Sequence, residues 1–320
     1  MVAVIFIGNM TFCPYAERYI EILEDNNCDY EVLYWNRSNT ETDMPSNYIS
    51  YNVQSNLNRN KVKKVKDFYG YYMWLKNVMK EKKYDRLILL STLSGFIVLP
   101  QLLKRYKKRY IFDIRDYSYE NNKFYYLIEE KIIKNSDFTS ISSMEFKKFL
   151  PPSNDYVITH NFNPNEIKEL YKFKKKSVGD VLNFVWIGSV RYFEYQKIIL
   201  DSLGNDRRFK VFYHGTGPQL QEYKEYVEKQ NYSNVYFTGK YNNVDKADLL
   251  KHADIINNAY GKKNDIAIKH AVSNKYYDGI IYGIPQIVEI DSFKEKLLKD
   301  NNLGLPIDNN DKNLADLIYE

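Results

Sequence analysis

Cysteine is scarce in this chain: 320 residues contain two, Cys13 and Cys28. Two thiols make neither a disulfide framework nor a metal-ligand spacing, so a reducing, cytoplasmic setting is the expectation. Long apolar runs are missing too. The N-terminal run at residues 2–7 (VAVIFI) has strand length, lacks a basic start, and is too short for a signal peptide or a membrane span. No other run reaches span length, so any membrane contact is expected to be peripheral. Internal repeats and low-complexity tracts are absent, as are the G-x-x-x-x-G-K-[ST] phosphate loop and the G-x-G-x-x-G dinucleotide spacing. An excess of one charge sign is lacking as well. Forty-six Lys and Arg against 41 Asp and Glu leave a net +5, the basic residues are scattered, and nucleic acid ranks last among partners.

What is present is a repeated strand-helix alternation, long enough for two domains. After residues 2–7, Gly8-Asn9 breaks the strand, Pro14 opens a helix, and Ala16, Tyr19, Ile20 and Leu23 form its apolar stripe. A second strand follows at residues 31–35. In an open α/β sheet the loop at a strand's carboxyl end faces the ligand crevice, so Gly8 and Asn9 are either a tight turn or a ligand contact. An aromatic helix is expected at 67–79, a strand at 86–91, a single helix at 93–106 and further strands at 110–113, 138–142 and 156–159. Arg115-Asp116 lies just past one strand end, and His160 past another, where a packing or hinge role is expected. The basic clusters at 60–66 and 104–109 are either solvated faces or an attachment to anionic lipid. The basic stretch 164–180 reads as a link between domains 1–163 and 181–320. The alternation then restarts, with strands at 183–187, 210–214, 234–237, 254–257 and 286–290 and a helix at 193–202.

Residues 272–288 (VSNKYYDGIIYGIPQIV) organise this second half. Polar Ser273, Asn274 and Lys275 precede a helical run that carries Asp278 and stops at Gly283-Ile284-Pro285. Amide groups at a helix start attract a diphosphate, and a carboxylate there accepts hydrogen bonds from ribose hydroxyls; the plainer role for Asp278 is to complement the helix dipole. Gly188-Ser189-Val190-Arg191 joins a strand to a helix, and Arg191 and Lys197 are either surface cations or neutralise a diphosphate.

The 272–288 segment resembles the "sNKLfEYla.GkPvi" signature of GT-B glycosyltransferases of the family-four type, with Asp278 in place of the usual Glu. Gly188-Ser189-Val190 resembles that family's "yiGsl" loop, Gly215-Thr216-Gly217-Pro218 its "G.Gp" turn, residues 236–239 its "v.f.G" segment, and residues 254–260 (DIINNAY) its "aDi.i.p" strand end. The resemblance implies two Rossmann-like domains facing a cleft, the first binding the acceptor and the second the nucleotide-sugar donor. It implies donor contacts at Gly188, Arg191, Lys197, Gly215, Gly217, Tyr260, Asn274, Lys275 and Asp278, and acceptor-side contacts at Gly8 and Asn9. Asp116, in DIRDYS, resembles the family's "dlrDlwp" acceptor segment; it either positions or deprotonates a hydroxyl or pairs with Arg115 or Arg109. His270 stands where the family has its first acidic residue, a departure that leaves the stereochemical outcome open; there it either contacts the donor sugar or phosphate as a catalytic-site residue or has a plain surface role.

The activity implied is sugar transfer to a hydroxyl of a polyprenyl-diphosphate-linked glycan in capsular or exopolysaccharide synthesis, with retention and at the inner face of the cell membrane. No D-x-D pair occurs, so no metal and no cofactor are expected, the nucleotide-sugar being a substrate. A non-catalytic nucleotide-sugar-binding subunit and a nucleotide-sugar epimerase on the same fold are the alternatives. The family usually continues into a final crossing helix, so a chain ending at Glu320 is expected to be truncated or short.

Overall fold

The computed structural model describes residues 1–55, 60–162, 179–261, 265–308 and 310–320. Contacts divide the chain into Met1–His160 and Asn161–Glu320. The link expected at 164–180 lies outside the described residues except for its last two.

Among the described residues the first unit holds seven parallel strands: β1 (Val2–Phe6), β2 (Tyr30–Trp35), β3 (Tyr48–Tyr51), β4 (Arg86–Leu90), β5 (Tyr110–Ile114), β6 (Phe138–Ile141) and β7 (Tyr156–Ile158). They run in the order β3-β2-β1-β4-β5-β6-β7. The second unit holds six: β8 (Leu182–Ile187), β9 (Phe209–His214), β10 (Val235–Gly239), β11 (Ile255–Asn257), β12 (Gln286–Glu289) and β13 (Gly304–Ile307). Their order is β10-β9-β8-β11-β12-β13, again all parallel. Each sheet therefore winds one way from its first strand and then the other, the doubly wound Rossmann-like topology. These are the two α/β domains the alternation predicts.

Both sheets are buried on both faces, so their central strands are continuous apolar runs. Side chains alternate faces with period two. Ala3, Ile5, Leu87 and Leu89 enter one cluster of the first unit, and Val4, Phe6, Ile88 and Leu90 enter the other. In the second unit Phe184 and Trp186 face one layer and Val185 and Ile187 the opposite one. The helix Ala16–Asp25 buries the stripe Ala16, Tyr19, Ile20 and Leu23.

Several boundaries differ from expectation. The charge run at 60–66 is not a lead-in but the first turns of a helix, Lys61–Lys82, whose cap Asn60 accepts a hydrogen bond from the Val62 amide at 3.0 Å. The single helix expected at 93–106 is two, Thr92–Ile97 and Leu99–Arg105, with Pro100 in the first turn of the second. Proline supplies no amide hydrogen and clashes with the preceding turn, so the ladder breaks at Val98. Strands β3 and β13 were not expected. Both are edge strands; β3 is half-buried throughout, and β13 carries Pro306, which an edge tolerates.

Candidate functional site

The second sheet reverses direction between β8 and β11, and the crevice outside that switch point is where such sheets take ligands. Gly188 follows β8 at φ 110° and Gly215 follows β9 at φ 135°. A Cβ on Gly215 would lie 2.0 Å from the Gly188 carbonyl oxygen, and one on Gly217 would lie 2.3 Å from that of Val190. Only glycine permits this approach. The amides of Gly188 and Val190 donate to the carbonyls of His214 (2.9 Å) and Thr216 (3.1 Å). The two glycine loops are thus one stitched backbone layer. The helix that follows, Phe193–Leu203, starts at Tyr192 with φ 68°, and the Phe193 amide donates to Gln219 Oε1 at 3.2 Å.

Cations and aromatic rings gather around this layer. Tyr260, past the end of β11, stacks on Tyr192 with centroids 4.8 Å apart and packs against Trp186 of β8 at 5.7 Å. The Arg191 guanidinium lies 4.8 Å from the Tyr192 ring centroid. Lys275 Nζ sits 3.2 Å from the Trp186 centroid and 4.7 Å from that of Tyr260, and donates to the Tyr260 hydroxyl at 3.4 Å. On the same tyrosine, Lys294 Nζ lies 3.8 Å from the ring centroid. Lys294 is neutralised by Glu289 Oε1 at 3.0 Å and donates to the Asn258 carbonyl at 2.7 Å. The other Glu289 oxygen accepts from the Tyr260 amide at 2.7 Å. Burial pushes the Lys275 amine well below the ordinary lysine value, and neighbouring Lys294 and Arg191 add to the effect. Burial lowers Lys294 too, against the pull of Glu289. A cavity of 580 Å³ is lined by Arg191, Tyr192, Phe193, Gln219, Tyr260 and Gly261, among others.

Of the expected donor residues, Gly188, Arg191, Gly215, Gly217, Tyr260 and Lys275 meet here. Asp278 does not share these contacts. It is the fifth residue of the helix Asn274–Tyr282, 4% exposed, and bonds Lys246 Nζ at 2.8 Å. Asn274 is exposed and accepts from Asn161 at 2.8 Å. Ser273 bonds Asn258 Oδ1 at 2.6 Å rather than capping its own helix. Lys197 is half-buried on the helix Phe193–Leu203, with Nζ 5.2 Å from the Tyr226 centroid. His270 closes the short helix Ile266–His270 and is half-buried. Trp186, Tyr192, Glu289 and Lys294 are participants that the sequence did not signal.

The first unit has its own switch point, between β1 and β4. Asn9 is buried there and donates to Asn36 Oδ1 at 2.9 Å and Ser38 Oγ at 2.8 Å. A Cβ on Gly8 would touch the Phe6 ring at 3.1 Å. Glu41 accepts from the amides of Met10 (3.0 Å) and Thr11 (2.8 Å). Asp116 is exposed beyond β5. Its neighbour Arg115 pairs with buried Asp113 at 2.6 Å and donates to the Thr159 carbonyl at 2.8 Å. Asp113 also accepts from the Tyr19 hydroxyl at 2.7 Å. His160 ends the unit two residues beyond β7 and its side chain is exposed; partial desolvation of the ring, with Arg18 nearby, lowers its pKa.

No three His, Cys, Asp or Glu among the described residues converge as a metal site. No described helix is long and apolar enough to cross a membrane.

No protein-family model matches the chain, and no curated protein does. Solved structures do. Sucrose-phosphate synthase from Thermosynechococcus elongatus is similar with a TM-score of 0.72 at 12% identity, over 99% of this chain and 88% of that one. Anabaena HepE in complex with UDP and glucose gives 0.60 at 12% identity, over 98% and 88%. UDP-GlcNAc 2-epimerase from Methanocaldococcus jannaschii gives 0.62 at 13% identity, over 100% and 92%. At such identities the likeness is one of fold: the chain has the GT-B fold of two Rossmann-like domains.

Proposed function

We propose that the chain is a glycosyltransferase that moves a sugar from a nucleotide-sugar donor to a hydroxyl of an acceptor. The observation that carries this reading is the switch point of the second sheet, where a stitched glycine layer meets Arg191, Lys275 and the stacked Tyr192–Tyr260 pair. The cations suit a diphosphate, and preorganised positive charge offsets the charge developing on a leaving nucleotide without a metal or other cofactor. The aromatic pair suits a flat base or a sugar face. Lys197 and Asn274 border the same ligand, and Asp278 takes the ribose, exchanging part of its bond to Lys246 for ribose hydroxyls. Asp116 positions or deprotonates the acceptor hydroxyl, with Gly8 and Asn9 near it. His270 meets the donor sugar or phosphate.

The finer reading is retaining, family-four-like transfer to a polyprenyl-diphosphate-linked glycan in surface-polysaccharide synthesis at the inner face of the membrane. The resemblance of residues 272–288 and the basic helix Lys61–Lys82 support it.

A thermal-shift screen against UDP, GDP, ADP, CMP and dTDP tests the donor site, with UDP first because HepE is seen with UDP. Stabilisation by one nucleotide is expected, followed by transfer from the matching nucleotide-sugar to a lipid-linked acceptor. A folded protein that no millimolar nucleotide stabilises, and that gives no calorimetric signal, overturns the reading. The second reading is an epimerase, favoured by the likeness to the epimerase from M. jannaschii. Incubation with donor alone separates the two, because an epimerase alters the sugar without an acceptor.

A further inference from the structure

The helix Lys61–Lys82 of the first unit leaves an apolar face in the open. Val62, Val65 and Tyr69 are 76%, 70% and 62% exposed. At the helical repeat they share one stripe with Tyr72, Lys76, Met79 and Lys80. The Tyr69 and Tyr72 rings continue it, with centroids 6.3 Å apart.

The stripe runs into a cavity of 310 Å³ between this helix and the helix Leu99–Arg105. Among the described residues that line it, Lys76 and Lys80 come from the first helix, Lys104 and Arg105 come from the second, and none is acidic. None of these four cations is ion-paired among the described residues. Arg105 lies 5.6 Å from the Tyr106 ring centroid, and Asp85, in electrostatic reach of it, is held by the Met1 amino group at 2.9 Å. Gln101 and Tyr106 line the cavity too. Gln101 Oε1 and the Tyr106 hydroxyl are buried and have no hydrogen-bond partner among the described residues, a state that buried polar atoms rarely keep.

Four unpaired cations in one concavity select an anion with several oxygens. The exposed valines and tyrosine beside them distinguish a bilayer from a free anion in water. Apolar area that enters the interface and attraction to anionic headgroups are the two signals of interfacial binding, and they add.

We propose that this face seats on an anionic phospholipid surface. The phosphate of one lipid headgroup occupies the cavity, held by Lys76, Lys80, Lys104 and Arg105, while Val62, Val65 and Tyr69 enter the boundary between headgroups and acyl chains. This deepens the membrane setting proposed above, giving it a seat and a ligand class, and is independent of the donor site.

The test is partitioning of the full chain onto vesicles of phosphatidylcholine alone and of phosphatidylcholine mixed with phosphatidylglycerol, read by sedimentation. Binding to the mixed vesicles is expected, falling as salt is raised. Each basic residue at such a surface strengthens partitioning about fivefold. Lys76→Gln with Lys104→Gln, one change on each wall, should therefore weaken it roughly 30-fold. Lys63→Gln with Lys107→Gln removes the same charge from exposed positions outside the cavity and should weaken it less than about fivefold. Val65→Ser with Tyr69→Ser should weaken it by a factor that salt does not change. All six positions are exposed, so the variants keep the fold. Equal losses in the two lysine pairs would mean diffuse attraction and overturn the headgroup seat. Equal binding to neutral and mixed vesicles, or none to either, overturns the proposal. A chain that ignores mixed vesicles but binds millimolar glycerol phosphate assigns the cavity to a free anion, and one saturated by poly-glutamate instead assigns it to a protein partner; either result overturns the lipid seat. The nucleotide screen reports on the donor site separately, so failure here leaves that reading standing.

Discussion

The two sheets of this protein place a loop at equivalent points and fill it differently. After β1, the amides of Met10 and Thr11 are taken by the carboxylate of Glu41. Asn9 is held by Asn36 and Ser38, and Arg115 by Asp113. After β8, Arg191 leans on a tyrosine ring, and neither it, Lys197 nor Lys275 is ion-paired among the described residues. The first switch point is closed by its own side chains; in the donor-site reading proposed here, the unpaired cations at the second are there for an external anion. A site that must take an external anion cannot also satisfy every cation internally, because a charge already paired gains little from a ligand.

The comparison extends to two buried ionisable groups with no ion-pair partner among the described residues, Glu129 and Lys275, which have opposite sign. Glu129 in the first unit is fully buried, and among the described residues neither of its oxygens has a hydrogen-bond partner. Burial, with nearby Glu120, raises its pKa from 4.5 to about 8. Its folded value lies above its unfolded one, so its contribution is full below pH 4.5 and is lost as pH rises to about 8, at up to roughly 1.4 kcal/mol per unit. Urea denaturation of Glu129→Gln should flatten that slope; an unchanged slope breaks the opposition. Lys275 acts the other way: its depressed folded value makes the unfolded chain bind more protons, so stability rises with pH up to the ordinary lysine range.

Next in size is Asp278→Asn. It leaves the nearly buried ammonium of Lys246 without its carboxylate and should cost about 3 kcal/mol in denaturant unfolding. A loss under about 1 kcal/mol would mean that the pair is not closed in solution. Lys275→Met is smaller and of mixed sign. It should stabilise the free protein at neutral pH by about 1–2 kcal/mol, since an apolar side chain replaces an uncompensated buried amine. It should also weaken UDP binding about tenfold or more. Stability and affinity moving in the same direction would contradict the account. The smallest effect belongs to Glu41→Gln, which weakens two charge-assisted bonds in the first unit by about 1 kcal/mol and leaves UDP affinity unchanged.

Much of this architecture was legible in the sequence. Buried parallel strands are short apolar runs, and the stripe Ala16, Tyr19, Ile20 and Leu23 has helical spacing, so the alternation and both sheets could be read directly. The glycine loops were legible because only glycine tolerates the φ of Gly188 and Gly215. What escaped was non-local or marginal. Edge strand β3 has no apolar alternation, and β13 contains a proline. Lys294 and Glu289 look like ordinary surface charges; nothing local says that folding brings both onto Tyr260. The pairing of Asp278 with Lys246 spans 32 positions and has no sequence signature.

The most direct measurement is UDP binding by calorimetry, with wild type, Lys275→Met and Glu41→Gln compared side by side. The account predicts that wild type and Glu41→Gln bind alike and that Lys275→Met binds about tenfold or more weakly. Equal affinity in all three, or a wild-type chain that ignores millimolar UDP, would contradict the claim that the second switch point is the diphosphate site.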